Sequence, residues 1–132
     1  ESEPHIKMID KIVIQRTFRY RNQFINYKFL NNYKDLLFLG TQEEFEDLKL
    51  DVKNLEFYEC GDFLEMSSII KSSKFTIGNS SIAFPIAEGL KVPRLLEACP
   101  HFPAAQPHGI NAFDFYFQSH FEERFKHLYN LK

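Results

Sequence analysis

Residues 74–96 read Lys-Phe-Thr-Ile-Gly-Asn-Ser-Ser-Ile-Ala-Phe-Pro-Ile-Ala-Glu-Gly-Leu-Lys-Val-Pro-Arg-Leu-Leu. An apolar run ends in the small polar turn Gly78-Asn79-Ser80-Ser81, an amphipathic stretch follows, and Val92-Pro93 introduces a second apolar run. This is the pattern of a buried parallel strand feeding a helix. The first helical N–H groups of such a unit have no partner within the helix and point above the carboxyl ends of the strands, where phosphate is the usual occupant. Pro85 is tolerated only in a first helical turn, which puts the helix start near Phe84. The turn is neither a Walker loop nor a GxGxxG fingerprint. The competing reading is a plain strand-to-helix connection with a serine cap.

Working outward, the same alternation recurs. Lys11–Gln15 is a β-branched apolar run, read as a first strand, and Arg16–Asn22 leaves it as a polar loop. Apolar residues at 24, 25, 29, 30 and 33 predict a helix over Phe24–Tyr33. Leu36–Leu39 is a second strand closed by Gly40. Thr41 with Glu44 three residues on predicts a capping box opening the next helix. Leu55–Tyr58 is a third strand. Asp62, with Glu65 at N3, caps a helix to about Lys71. Phe75–Ile77, Arg94–Glu97 and Phe113–Phe117 complete the strands, Ser81–Leu90 and His120–Tyr129 the helices, and Cys99–Asn111 is irregular.

Strands alternating with helices at this spacing imply right-handed crossovers. The expected fold is α/β: a Rossmann-like three-layer α/β/α domain with a mainly parallel sheet of about five or six strands. Ligands of such sheets bind outside the carboxyl ends of the strands. Arg16–Asn22, Gly40-Thr41, Cys60–Asp62, Gly78–Ser81 and Glu97 onward therefore share one rim.

Composition narrows the class of protein. The chain has 132 residues, 44% apolar and 26% charged, which suits one globular domain with its own core. A formal charge of −2 and the lack of a continuous basic face weigh against nucleic acid, although Phe18, Tyr20 and Phe24 interleave with arginines. Cys60 and Cys99 are too few for a disulfide framework or a four-cysteine zinc site. His5, His101, His108, His120 and His127 lack metal-ligand spacing, so no metal is expected. No apolar run is long enough to cross a bilayer and no signal-peptide pattern opens the chain, which favours a cytoplasmic setting without membrane insertion. The 15 phenylalanines, with no tryptophan, read as core filling. A start at Glu1 with a strand pattern soon after reads as a fragment of a longer protein.

The candidate chemistry is anion binding. Gly78, Asn79, Ser80 and Ser81 offer main-chain N–H groups and hydroxyls. Arg16, Arg19 and Arg21 follow the first strand, and a guanidinium fork pairs bidentately with phosphate oxygens. Their competing reading is a solvent-exposed basic loop. Glu97, at the exit of a strand, is placed to accept hydrogen bonds from ribose hydroxyls, whereas Glu88 reads as a solvated helix residue. Glu43, Glu44, Glu46 and Asp47 read as a solvated helix face. No GxSxG or other nucleophile motif occurs.

The run from Phe75 through Pro93 resembles the C-terminal, donor-binding half of GT-B glycosyltransferases, especially the heptosyltransferase-like group. In that group a strand ends in a small-residue turn, an alanine-rich helix follows, and a proline precedes the next strand. Leu37-Phe38-Leu39-Gly40-Thr41 with Glu43-Glu44, and Phe63 through Ile70, extend the likeness over most of residues 11–100. The resemblance implies that Ser80 and Ser81 meet the diphosphate of a nucleotide-sugar and that Gly40 and Thr41 edge the same cleft. It further implies that Arg16 or Arg19 matches the basic or hydroxyl residue the family places after its first C-terminal strand. Asn79 stands where an acidic residue is common, and Pro85 where a histidine usually stands.

The function expected on that resemblance is a nucleotide-sugar-binding glycosyltransferase domain. Its donor is a substrate rather than a cofactor, and an N-terminal domain of the same protein holds the acceptor. The alternative is a non-catalytic Rossmann-like interaction domain with a degenerate site, for which the loss of the family histidine speaks. A sugar-nucleotide epimerase ranks last, since its extra carboxylates and histidine have no counterparts here.

Overall fold

The computed structural model describes residues 11–18, 21–22, 24–59, 61–79, 92–97, 112–115 and 117–130. Six strands form one sheet: β1 (Ile12–Gln15), β2 (Leu36–Leu39), β3 (Glu56–Tyr58), β4 (Phe75–Gly78), β5 (Arg94–Glu97) and β6 (Ala112–Phe115). Their order is β3-β2-β1-β4-β5-β6, and every pairing is parallel. The expected Rossmann-like α/β fold is the observed one. The strand order reverses between β1 and β4, in the register Gln15↔Gly78. Such a reversal is the topological switch point, where the connections from neighbouring strands leave on opposite faces and open a crevice.

Every residue of β1, β2, β4 and β5 is buried, as continuous apolar strands covered on both faces must be. Side chains alternate between two cores. Ile12, Ile14, Leu36, Phe38, Phe75, Ile77, Leu95 and Phe115 point to one face. There they meet Leu48 of α1 (Gln42–Lys49) and Phe121, Phe125 and Leu128 of α3 (Gln118–Tyr129). Val13, Leu37 and Leu39 point to the other face, against Ile69 and Ile70 of α2 (Phe63–Ser72). The aromatic excess fills the first core: Phe29, Tyr33, Phe121, Phe125 and Tyr129 pack ring to ring with centroids 4.6–6.2 Å apart. Among the described residues, Phe18, Phe24 and Phe117 escape that reading, since they are exposed.

The two predicted caps, Thr41 and Asp62, are as expected, and the last helix begins at Gln118, two residues before the expected His120. Thr41 and Glu44 form a reciprocal capping box on α1. Asp62 accepts from the Glu65 N–H at the head of α2, while the Glu65 carboxylate turns back to the Gly61 N–H. The helix expected over Phe24–Tyr33 is not formed; only a short 3-10 helix, Lys28–Asn32, appears there. Asparagine is the reason. Asn26 Oδ1 accepts from the Lys28 N–H, the donor that the expected helix would turn to the Phe24 carbonyl, and Asn22 Oδ1 accepts from the Phe24 N–H two residues on. Asn31 then ties the segment to the Asp51 carbonyl and the Lys53 N–H beyond α1. The connection from β1 to β2 is therefore mostly a loop. Ser81–Leu90 and Cys99–Asn111 lie outside the described residues.

Candidate functional site

The site is the carboxyl rim of the sheet at the β1/β4 switch point. Main-chain groups lose their ladder partners there as β1 and β4 part, and Asn79 supplies substitutes. Its Oδ1 accepts from the Thr17 N–H at 3.0 Å and the Thr17 hydroxyl at 3.3 Å, and its Nδ2 donates to the Thr17 carbonyl at 3.0 Å. A carboxamide carries the same donor and acceptor as a peptide, so it adds one rung to the β1–β4 ladder. Asn79 is fully buried. The loop following β1 is thereby stapled to the turn following β4.

A second linkage spans β4, joining the ends of β1 and β5. Arg16 Nε donates to Glu97 Oε1 at 2.8 Å and Nη2 to Oε2 at 2.9 Å, a bidentate pair whose side chains are 7% and 0% exposed. The Tyr27 hydroxyl donates to Oε1 and the Asn22 N–H to Oε2, both at 2.7 Å. Each carboxylate oxygen thus accepts two hydrogen bonds, the condition under which a buried charge is tolerable. The Arg16 guanidinium also lies 4.6 Å from the Tyr27 ring centroid. Burial pulls the Arg16 pKa down, but the Glu97 hydrogen bond and the nearby Tyr27, Glu97 and Asp47 outweigh it and leave the pKa above its ordinary value. Burial and then the Glu97 charge hold the Tyr27 phenol well above its ordinary pKa.

Arg21 is held differently. Its Nη1 pairs with Asp47 Oδ2 of α1 at 2.8 Å, its Nε donates to the Thr17 carbonyl at 2.9 Å, and its guanidinium lies 4.9 Å from the Phe18 ring centroid. Among the described residues, Arg21 Nη2 is the buried side-chain nitrogen with no hydrogen-bond partner.

The predicted site residues fall into groups. Arg16, Arg21, Asn79 and Glu97 meet at the switch point, joined to one another through the loop after β1. Gly78 ends β4 beside them. Arg16 and Glu97 engage each other, and Glu97 has both oxygens occupied by protein donors. The Thr41 hydroxyl is committed to the cap of α1. Gly40 serves that cap through a positive φ of 151° and close packing, since a Cβ there would lie 2.9 Å from both Glu44 Oε1 and Phe38. Arg19, Ser80 and Ser81 lie outside the described residues.

Three contributors were not anticipated: Asn22, Tyr27 and Asp47. The first uses its main-chain N–H, which carries no side-chain signal. Asp47 sits in a run of acidic residues that reads as a solvated face, and Tyr27 falls in the segment misread as a helix. A tyrosine buried within an asparagine-rich loop is the one available hint, because its hydroxyl demands a partner.

A six-stranded parallel sheet with its polar side chains gathered at the switch point defines a Rossmann-like α/β domain with a candidate ligand crevice on its carboxyl rim. No protein-family model and no curated protein matches the chain. Among the described residues, no group of three or more His, Cys, Asp or Glu could hold a metal, and no helix is long and apolar enough to cross a membrane.

Proposed function

We propose that the chain is the nucleotide-sugar-binding domain of a GT-B glycosyltransferase of the heptosyltransferase-like kind, seating the donor diphosphate above the β1/β4 switch point. The observation that carries the reading is the reversal of strand order there, with the loop bearing Arg16, Thr17 and Arg21 on one side and Gly78-Asn79 on the other. The resemblance over Phe75–Pro93 supplies the class of ligand. In this reading Arg21 meets the diphosphate, and the resemblance adds Arg19, Ser80 and Ser81 as further ligands of it. Arg16, Asn79 and Glu97 form the floor that holds both loops in place. The domain's contribution to transfer is to stabilise the negative charge that grows on the leaving diphosphate as the glycosidic bond breaks. An N-terminal domain of a longer protein provides the acceptor, in a cytoplasmic setting and without nucleic acid.

A second reading is a non-catalytic Rossmann-like interaction domain. The mutual satisfaction of Arg16 and Glu97 favours it, because the strongest charges at the crevice are spent on each other. Calorimetric titration with UDP-, GDP- and ADP-sugars separates the two. The transferase reading expects one of them to bind with Kd below about 1 mM and to be weakened by Arg21→Ala and Ser81→Ala. Absence of binding at millimolar donor overturns it in favour of the second.

A further inference from the structure

We propose that Asp47 on α1 is a positioning residue for Arg21, holding its guanidinium as a pre-set fork whose Nη2 is kept for a phosphate oxygen. The ligand class rests on the donor-diphosphate reading, while the fork itself rests on geometry. Three constraints fix the guanidinium plane: Asp47 Oδ2 on Nη1 at 2.8 Å, the Thr17 carbonyl on Nε at 2.9 Å, and the Phe18 ring against its face at 4.9 Å. Nη2 is left enclosed and without an acceptor. A charged donor shut away from both water and partner is unfavourable, and an anion's oxygen relieves it.

The surroundings fit that use. The side chains of Arg21 and Asp47 are 23% and 39% exposed, so the pair lies near the surface and not in the core. A pair so placed contributes little to stability, which leaves orientation as its effect. Phe18, whose ring flanks the guanidinium, is itself 54% exposed. Thr17 is the residue stapled by Asn79, so the carbonyl that anchors Arg21 Nε is itself fixed to the switch point. Asp47 also lies near enough to Arg16 to help raise its pKa.

The test uses nitrogen-15 NMR of the arginine side chains with inorganic pyrophosphate as the probe, followed by UDP-, GDP- and ADP-sugars. The expected result is that pyrophosphate shifts the Arg21 Nε–H signal. Asp47→Ala should weaken pyrophosphate about fivefold or more at unchanged melting temperature, the order expected when an oriented charge-assisted contact becomes free to rotate. Asp47→Glu should recover most of that loss, and Asp47→Ala added to Arg21→Ala should cost nothing further, because the two act through one contact. The inference is overturned if pyrophosphate leaves Arg21 unmoved, if Asp47→Ala leaves its affinity unchanged, or if the two substitutions add. Pyrophosphate binding through Arg21 with no nucleotide-sugar binding upholds the fork and removes the donor reading. Nucleotide-sugar binding that leaves Arg21 unmoved removes the fork and leaves the donor reading only without Arg21 as a ligand.

Discussion

Arg16 and Glu97 lie fork to fork across the end of β4, 81 residues apart in sequence, and join the two strands that flank it. The pair closes the rim beneath the loop that leaves β1. Glu97 serves four donors at once, and each depends on its charge or its lone pairs.

Removing the carboxylate strands a guanidinium, a phenol and a main-chain N–H in a buried site. Glu97→Ala is therefore expected to cost about 3–5 kcal/mol, the range for breaking a buried ion pair from one side. Glu97→Gln keeps the shape and one acceptor oxygen, so its cost should be clearly smaller. Urea unfolding followed by circular dichroism measures both. Equal, small losses for the two variants would show that the network is not carrying the rim.

Tyr27 makes the stability of the fold sensitive to alkali. Its phenol is held above the ordinary value of 10.0, first by burial and then by the Glu97 charge. Between pH 10 and the raised folded value, the unfolded chain gives up the proton while the folded chain keeps it. The contribution is thus complete below the unfolded pKa and is lost as pH rises toward the folded one, at up to about 1.4 kcal/mol per pH unit. Tyr27→Phe should cost about 1 kcal/mol at pH 7 and lose stability less steeply than the native chain above pH 10. Urea midpoints for both proteins between pH 7 and 11 give the comparison, and parallel curves would contradict it.

The Asn79 amide predicts a pH effect of its own. Asn79→Asp keeps the acceptor for the Thr17 N–H but aims lone pairs at the Thr17 carbonyl, where Nδ2 now donates. The expected cost is about 2 kcal/mol at pH 7. The introduced carboxyl is disfavoured when charged, so its folded pKa lies above the unfolded carboxyl value of about 3.9. The deficit against the native chain at the same pH should then be small below that value and grow as pH rises through the folded one. A deficit independent of pH between 3 and 7 would rule out this account of the contact.

Much of the fold was legible because its signals are local. Thr41 with Glu44 and Asp62 with Glu65 announce helix starts within four residues, and Leu36–Leu39 and Arg94–Glu97 are strands with the predicted limits. The Phe24–Tyr33 segment failed because apolar spacing competed with Asn22, Asn26 and Asn31, whose side chains claim nearby main-chain groups. The site was legible as a rim but not as a wiring diagram. Arg16 and Glu97 each read as a ligand contact, and their pairing became visible only once the sheet order set β1 and β5 on either side of β4. Asp47 was hidden by its acidic neighbours, since nothing in Glu43–Asp47 marks which carboxylate meets Arg21.

Gly40 provides a test of the junction between β2 and α1 that is separate from ligand binding. Its φ of 151° is one that residues with a side chain rarely adopt, and a Cβ would sit 2.9 Å from Glu44 Oε1 and from the Phe38 ring. The first contact pushes on the glutamate that completes the capping box, and the second pushes on a fully buried ring. Gly40→Ala should therefore cost more than Thr41→Ala. The alanine at Gly40 strains the backbone by about 1–3 kcal/mol and disturbs the cap as well, whereas Thr41→Ala removes the cap alone, about 1 kcal/mol. Thermal melts of the two variants and their double mutant decide the matter. The double mutant should lose less than the sum, because the disturbed cap is counted in both single changes. A harmless Gly40→Ala would mean that β2 can end without this turn.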